Sequence, residues 1–158
     1  MATRKIHALL NEYGESHKNH TNKTIHWICV PLIVMSVIGL FWSIPVPPVF
    51  EEIGNGWLNW GTIFVGLAFL YYIVLSIPLT LGMVFVAGGM VVGNYLIAAS
   101  PAPIWLVSVI IFVAAWIGQF IGHNIEGKKP SFLKDVQFLM IGPLWLLSFI
   151  YRRAGIKY

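Results

Sequence analysis

Three of the five histidines in this 158-residue chain lie close together, in the stretch HKNHTNKTIHWICVPLIV at 17–34. A fourth, His123, lies in QFIGHNIEG at 119–127, where Gln119, His123 and Glu126 have the spacing i, i+4, i+7 of one helix face. Neutral imidazole is a ligand for iron, zinc, copper and nickel, and a carboxylate can complete such a site. These residue types predict a metal site, provided that the fold brings the two segments together.

A short amphipathic helix is predicted at about 4–17. Its buried stripe follows the helical spacing i, i+3, i+4, i+7 and i+11, with the members Ile6, Leu9, Leu10, Tyr13 and His17. His17 therefore faces the membrane or the helix bundle, beside Tyr13. His7 lies off this stripe and is predicted to be solvated.

The helix must be interrupted between His17 and His26. At 100° per residue, one unbroken helix would put His26, nine positions later, on the opposite side. The polar segment 18–22 supplies the break, and Thr21 or Asn22 is predicted to cap a helix that begins near Lys23. The reversal would bring His17 back over His26, while His20 within it is either a ligand or a capping residue.

The composition predicts an integral membrane protein. The chain is 58% hydrophobic and 10% charged, whereas soluble domains are roughly 25% charged. Crossing the bilayer as a helix takes about 20 apolar residues, and four segments approach that length: 24–43, 57–77, 79–99 and 103–122. The prediction is a single all-α domain, 1–158: a membrane bundle of four transmembrane helices with an N-terminal amphipathic helix and a C-terminal interfacial or re-entrant helix at about 131–151.

The distribution of charge orients the predicted spans. Lysine and arginine precede the first span and follow the fourth, whereas the loop after the first span carries only Glu51 and Glu52. Because cytoplasmic loops are enriched in basic residues, both termini are predicted to be cytoplasmic. His17, His26 and His123 would then occupy the same leaflet. The net charge of +4 is explained by these membrane flanks, so no nucleic-acid partner is predicted.

Two further features have simple structural interpretations. Cys29 is the single cysteine, which excludes an intramolecular disulfide and a multi-cysteine metal site. Gly89 and Gly93 have a spacing that lets helices approach closely. Packing inside the bundle is the favoured interpretation, and a homodimer face is the alternative.

The stretches HKNHTNKTIHWICVPLI and GHNIEGKKPSFLKDVQFLMIGPLWLL together resemble the two signatures of the membrane family of 2-hydroxy fatty acid dioxygenases. The resemblance covers most of the chain. The matching positions are Tyr13, His17, Asn19, Asn22, His26, Pro31, Gln119, Gly122, His123, Glu126, Pro130, Gln137 and Pro143. Two places depart from the family pattern: His20 stands where proline is expected, and the segment from His123 to Gln137 is shorter than in eukaryotic members.

The resemblance implies an Fe2+-dependent α-oxidation, in which O2 and a long-chain 2-hydroxy fatty acid give the fatty acid one carbon shorter. It implies His17, His26 and His123 as iron ligands, with Glu126 as a further catalytic candidate. Residues that support the ligands or contact the substrate would be Tyr13, Asn22, Gln119, Lys128 and Lys129. The expected location is a bacterial cytoplasmic membrane, or the endoplasmic reticulum for a eukaryotic source, with membrane lipid as a partner.

Two other functions fit the same residues. His26 and His123 on different spans could be the axial pair of a haem b electron carrier. A lipid-binding membrane protein without enzymatic activity would instead use its histidines as interfacial anchors and bind no stoichiometric metal.

Overall fold

The computed structural model describes residues 2–127 and 138–158, without the side chains of 2–4. All regular secondary structure in these described residues is helical. The all-α prediction is confirmed. In chain order the helices are α1 Ala2–Gly14, α2 His20–Trp42, α3 Pro48–Gly54, α4 Trp60–Leu75, α5 Ile77–Ala98, α6 Ile104–Glu126, a 3-10 helix Phe138–Met140, and α7 Ile141–Arg153.

Three described helices, α2, α5 and α6, are long and apolar enough to cross a membrane, where the sequence predicts four. The exception is α4, with 16 residues, or about 24 Å at 1.5 Å per residue, against about 30 Å of hydrocarbon. Its caps explain the difference. The Asn59 side chain accepts from Thr62 N–H while the Thr62 hydroxyl accepts from Asn59 N–H, and at the other end Ser76 caps the start of α5.

The helix α1 turns its apolar stripe toward the protein, as its periodicity predicts. Ile6, Leu10 and Tyr13 are buried, and they pack in one cluster with residues of α4, α5 and α7. His7 is exposed and lies beside the ring of Tyr158. The stripe therefore fixes which side of α1 faces the bundle.

Helix α2 packs most extensively against α6. Two glycines of α6 allow the close approach: a Cβ atom at Gly118 would lie 2.6 Å from Cys29 Sγ, and one at Gly122 would collide with Asn22 Oδ1. Gly118 and Gly122 are spaced i, i+4, so they form one small-residue face. Of the glycine pair singled out in the sequence, Gly93 faces Met35 of α2, whereas a Cβ atom at Gly89 would have no described atom within 4 Å.

The C-terminal helix α7 is buried against its neighbours. All eight residues from Ile141 to Ser148 are buried, the helix packs on α1 and α5, and Tyr151 donates a hydrogen bond to the carbonyl of Pro78 at 2.7 Å. The Gly142–Pro143 pair stands in the first turn, where proline sacrifices no helical hydrogen bond. Of the predicted segment 131–151, residues 131–137 lie outside the described part of the chain; the remainder packs against the other helices, and its placement at or within the membrane interface stays a prediction.

Candidate metal centre

The reversal between α1 and α2 positions the first two histidines. Asn19 caps α2, with its side-chain oxygen accepting from the backbone N–H groups of Thr21 at 2.8 Å and Asn22 at 3.4 Å. The predicted cap at Thr21 or Asn22 was wrong, because Asn19 has the extended backbone that a capping residue needs and the helix begins at His20. A break between the two helices is present as predicted, but its place differs: α1 ends at Gly14 rather than at His17, and His17 lies within the reversal and folds back over α2.

Three imidazoles meet at this end of the bundle. His17, His26 and His123 are 4%, 1% and 5% exposed, and each offers a nitrogen such that all three nitrogens lie within 4.8 Å of one another. The Nε2 atoms of His17 and His26 are 2.8 Å apart. Helices α2 and α6 and the segment after α1 thus bring together histidines from three separate parts of the chain.

Hydrogen bonds to the backbone determine the tautomers of two of these rings. The Nδ1 atom of His17 lies 2.6 Å from the carbonyl oxygen of Tyr13, and that of His26 lies 2.9 Å from the carbonyl oxygen of Asn22. Since a carbonyl can only accept, both Nδ1 atoms carry the proton, and in the neutral rings both Nε2 atoms present lone pairs. The two lone pairs face each other at 2.8 Å.

Such a pair is repulsive unless one ring gains a second proton and donates to the other, or a metal ion lies beside both nitrogens. Two imidazole nitrogens bound at about 2.1 Å to one metal ion, at a right angle, would be separated by about 3 Å. The observed separation of 2.8 Å matches that arrangement. The donor set therefore fits a metal ion. The Nδ1–H groups of His17 and His26 are bound by carbonyl groups, and such bonds orient ligating histidines in many metal sites.

Glu126 lies next to this cluster and contacts the reversal. Its carboxylate accepts from the backbone N–H of Lys18 at 2.8 Å, the backbone N–H of Asn19 at 2.9 Å and the side-chain amide of Asn22 at 3.1 Å. Both carboxylate oxygens are thereby engaged in hydrogen bonds. Glu126 fastens the reversal to the end of α6, and it is not in the group of three side chains that could hold a metal ion.

Aromatic rings cover the outer side of His17. The Tyr13 ring stacks on it with centroids 4.4 Å apart and planes 8° from parallel, and the indole of Trp145 lies 5.2 Å from both rings. Trp145 was missed by the sequence analysis, because it stands in an apolar run far from the histidines. The sequence signal that could have indicated it is the proximity of that run to the second family motif, which includes Pro143.

A cavity borders the histidines and is called here the histidine cavity. It has a volume of about 30 Å³ and is partly open to its surroundings, and its lining includes Tyr13, His26, Trp116, Gln119 and His123 together with apolar side chains. Gln119 is 6% exposed, and its Oε1 atom has no hydrogen-bond partner among the described residues. A small polar group in this cavity could meet both an ion at the histidines and an acceptor on α6.

The remaining predicted residues lie elsewhere or outside the described chain. His20 is exposed at the first position of α2, away from the three clustered histidines. Asn22 is buried and supports the site through its backbone carbonyl and its bond to Glu126. Lys128 and Lys129 lie outside the described residues.

The ring arrangement disfavours the haem interpretation. An axial pair must have a porphyrin plane between its two rings. The His26 and His123 centroids are 5.2 Å apart with planes at 87°, and the ring of His17 lies 4.1 Å from the first and 5.4 Å from the second. The space that a macrocycle would need is occupied by the third imidazole.

A comparison with protein families found one that matches nearly the whole chain. The family is described as 2-hydroxy-palmitic acid dioxygenase Mpo1-like, and the match covers residues 3–154. Comparisons with curated proteins and with solved structures gave no significant match.

Proposed function

The chain belongs to the 2-hydroxy-palmitic acid dioxygenase Mpo1-like family, and from this premise we propose that it is an Fe2+-dependent dioxygenase of long-chain 2-hydroxy fatty acids. The product is the fatty acid one carbon shorter. In balanced form, RCH(OH)COOH and O2 give RCOOH, CO2 and H2O: the C1–C2 bond breaks, C2 is oxidised to a carboxyl group, and O2 is reduced.

One observation supports the metal requirement more than any other: the Nε2 atoms of His17 and His26 lie 2.8 Å apart, while the Nδ1 atom of each ring is held by a backbone carbonyl group. In the proposal His17, His26 and His123 hold the iron. Histidine ligation that leaves positions open is typical of non-haem Fe(II) oxygenases. When bound, iron supplies the activation of O2 and of the chelating hydroxy acid.

The side chains around the ion bind and orient the substrate. A 2-hydroxy acid carries a carboxylate and a hydroxyl on adjacent carbons, so both can approach one ion. The Oε1 atom of Gln119 in the histidine cavity, which has no partner among the described residues, is the proposed acceptor for the substrate hydroxyl. The buried rings of Tyr13 and Trp116 exclude bulk water from the reacting carbons.

The proposed setting is a membrane crossed four times, with both termini in the cytoplasm. Helices α2, α5 and α6 have the length and composition of spans, and α4 is the fourth crossing in this proposal, shortened by its caps. The histidines then lie near the inner lipid surface, where the carboxylate of a membrane-borne acid is found. A bacterial cytoplasmic membrane is the proposed location, or the endoplasmic reticulum for a eukaryotic source.

Turnover by purified histidine variants tests this proposal. The protein is purified without oxygen, supplied with Fe2+ and mixed with 2-hydroxy-palmitic acid, and O2 uptake and the shortened acid are measured. We expect His17→Ala, His26→Ala and His123→Ala each to lose product formation by about 100-fold or more, as for removal of groups that act as a unit. His20→Ala and His7→Ala are the matched controls, since both side chains are exposed, and they should retain wild-type turnover.

Two results would contradict the proposal. Wild-type protein that binds no stoichiometric iron and consumes no O2 with any 2-hydroxy acid would favour a lipid-binding role. A Soret band in the purified protein would favour the haem carrier.

A further inference from the structure

Two cavities in the protein share one side chain. Besides the histidine cavity, a second cavity of about 30 Å³ lies between α2, α4, α5 and the 3-10 helix, and it is called here the apolar cavity. Leu139, in the 3-10 helix, lines both. Each space, at about 30 Å³, admits only a few water-sized groups, so a longer ligand can occupy the two spaces only as the lining side chains move.

The two cavities follow each other along α2. His26, Val30 and Ile33 line the histidine cavity, and Val34 and Ile38 line the apolar cavity. At 1.5 Å per residue, the second pair lies about 12 to 18 Å along the helix from His26. The apolar cavity therefore extends from the histidines toward the middle of α2, which is the direction into the bilayer if α2 is a span.

The lining of the apolar cavity suits an alkyl chain. Its side chains are apolar apart from the hydroxyl of Tyr72, and that hydroxyl donates to the carbonyl of Met140 at 2.8 Å. Met83, Met90 and Met140 are part of the wall. Methionine side chains are flexible and fill irregular space, so this wall can adjust to a chain that enters.

We propose, on the basis of the proposed function, that the apolar cavity holds the alkyl chain of the 2-hydroxy fatty acid and limits its length. The carboxylate and hydroxyl remain at the histidines, and Leu139 must turn aside to join the two spaces. The hydrogen bond from Tyr72 holds the backbone of the 3-10 helix in place, so the space for the chain comes from movement of Leu139 and of the methionine side chains in the wall. Chain-length preference is then set by residues of α4 and α5 that are remote from the ion.

Substitutions that shorten or lengthen the cavity test the proposal. Ala87 is buried and lines the cavity, so Ala87→Phe should fill it and lower turnover of a long-chain 2-hydroxy acid by about tenfold relative to a medium-chain acid. Met90→Ala enlarges the same space and should shift preference toward longer chains. Val84→Phe is the matched control, because Val84 is 50% exposed one turn earlier on α5, and it should leave the profile unchanged.

A general loss of stability would not shift the chain-length preference of Ala87→Phe and Met90→Ala in opposite directions. An unchanged chain-length profile in both, with wild-type turnover intact, would overturn the cavity assignment and leave the proposed dioxygenase activity standing.

Photolabelling tests the cavity without relying on turnover. A palmitic acid analogue with a diazirine at its terminal carbon is incubated with the reconstituted full-length protein, irradiated and mapped by peptide mass spectrometry. Label on the cavity residues Phe69, Met83 or Met90 supports the proposal even if the protein proves inactive. Label confined to Leu81 and Phe85, which are exposed, would show that the chain lies outside in lipid and would overturn it.

Discussion

Backbone carbonyl groups organise the candidate site at the scale of single residues. His17 and His26 each donate from Nδ1 to the carbonyl of the residue four positions earlier, and this makes Nε2 the candidate coordinating atom on both rings. Every residue has a carbonyl group, so no residue type in the sequence indicates these two partners. The identity of the three clustered histidines could be predicted from the sequence, whereas the atoms that they present could not.

Glu126 illustrates the same limit. Its helical spacing with His123 indicated a shared face and a catalytic candidate. The structure instead directs its carboxylate to two backbone N–H groups and to Asn22. Those backbone N–H groups point at Glu126 only because the chain reverses at 15–19. The composition of that segment predicts a reversal, but it does not predict which N–H groups the reversal turns toward α6. We therefore propose that Glu126 is a positioning residue that holds His17 over His26.

Replacement of Glu126 by glutamine tests this role. Glutamine keeps the size of the side chain, but it has one oxygen where three N–H donors converge, so its amide would face a donor. We expect Glu126→Gln to lower the free energy of unfolding by about 1 kcal/mol and to weaken iron binding while leaving the iron ligands in place. Thermal unfolding and metal content measure the two effects. Glu52→Gln, at an exposed position on α3, is the control; if both variants behave alike, the positioning role is wrong.

Packing between α2 and α6 determines the site at the scale of elements. The glycine face of α6 lets that helix approach α2 closely enough for His123 to meet His26. The sequence contains several glycine pairs with helical spacing, and spacing alone does not reveal which neighbour each pair faces. Close helix packing was predicted at Gly89 and Gly93, whereas Gly118 and Gly122 lie at the interface that positions the histidines.

A methyl group added at Gly122 tests the importance of this approach. A Cβ atom there would collide with Asn22 Oδ1, and overpacking of this kind commonly costs about 1–3 kcal/mol. We expect Gly122→Ala to lower the melting temperature and the iron content together. The added methyl group would push α2 and α6 apart, and this would move His123 away from His26.

Gly88→Ala is the matched control, since a Cβ atom at Gly88 has nothing within 4 Å among the described residues. Alanine is the better helix former there, so stability should be unchanged or slightly higher. A Gly122→Ala protein as stable as the Gly88→Ala protein, with full iron content, would show that the contact is unimportant.

The helical class and the long apolar helices could be predicted from hydropathy, but the length of α4 and the burial of α7 could not. Hydropathy counts apolar residues and does not distinguish those that face lipid from those that face protein. The Asn59 and Thr62 pair that starts α4 is a recognisable capping pattern. This pattern predicts a helix that begins at Trp60, and therefore a span shorter than 57–77. The burial of Ile141–Ser148 depends on α1 folding across the bundle, which is a tertiary effect.

At the scale of the whole molecule, an ion at the histidines would join three segments that are distant in the chain. His17 follows α1, His26 lies on α2 and His123 lies in the last turn of α6, and their rings are buried where the segments meet. A ligand that binds only the folded state stabilises it by an amount that grows with the logarithm of the ligand concentration divided by its dissociation constant. Metal loading and folding of this end of the bundle should therefore be coupled.

The most direct test is X-ray absorption spectroscopy at the iron edge of full-length protein purified and loaded with Fe2+ without oxygen. The account predicts about one iron per chain, with outer-shell scattering of three imidazoles in wild type and two in any iron retained by His123→Ala. Wild-type protein that retains no iron, or iron with the same number of imidazole ligands in both proteins, would contradict it.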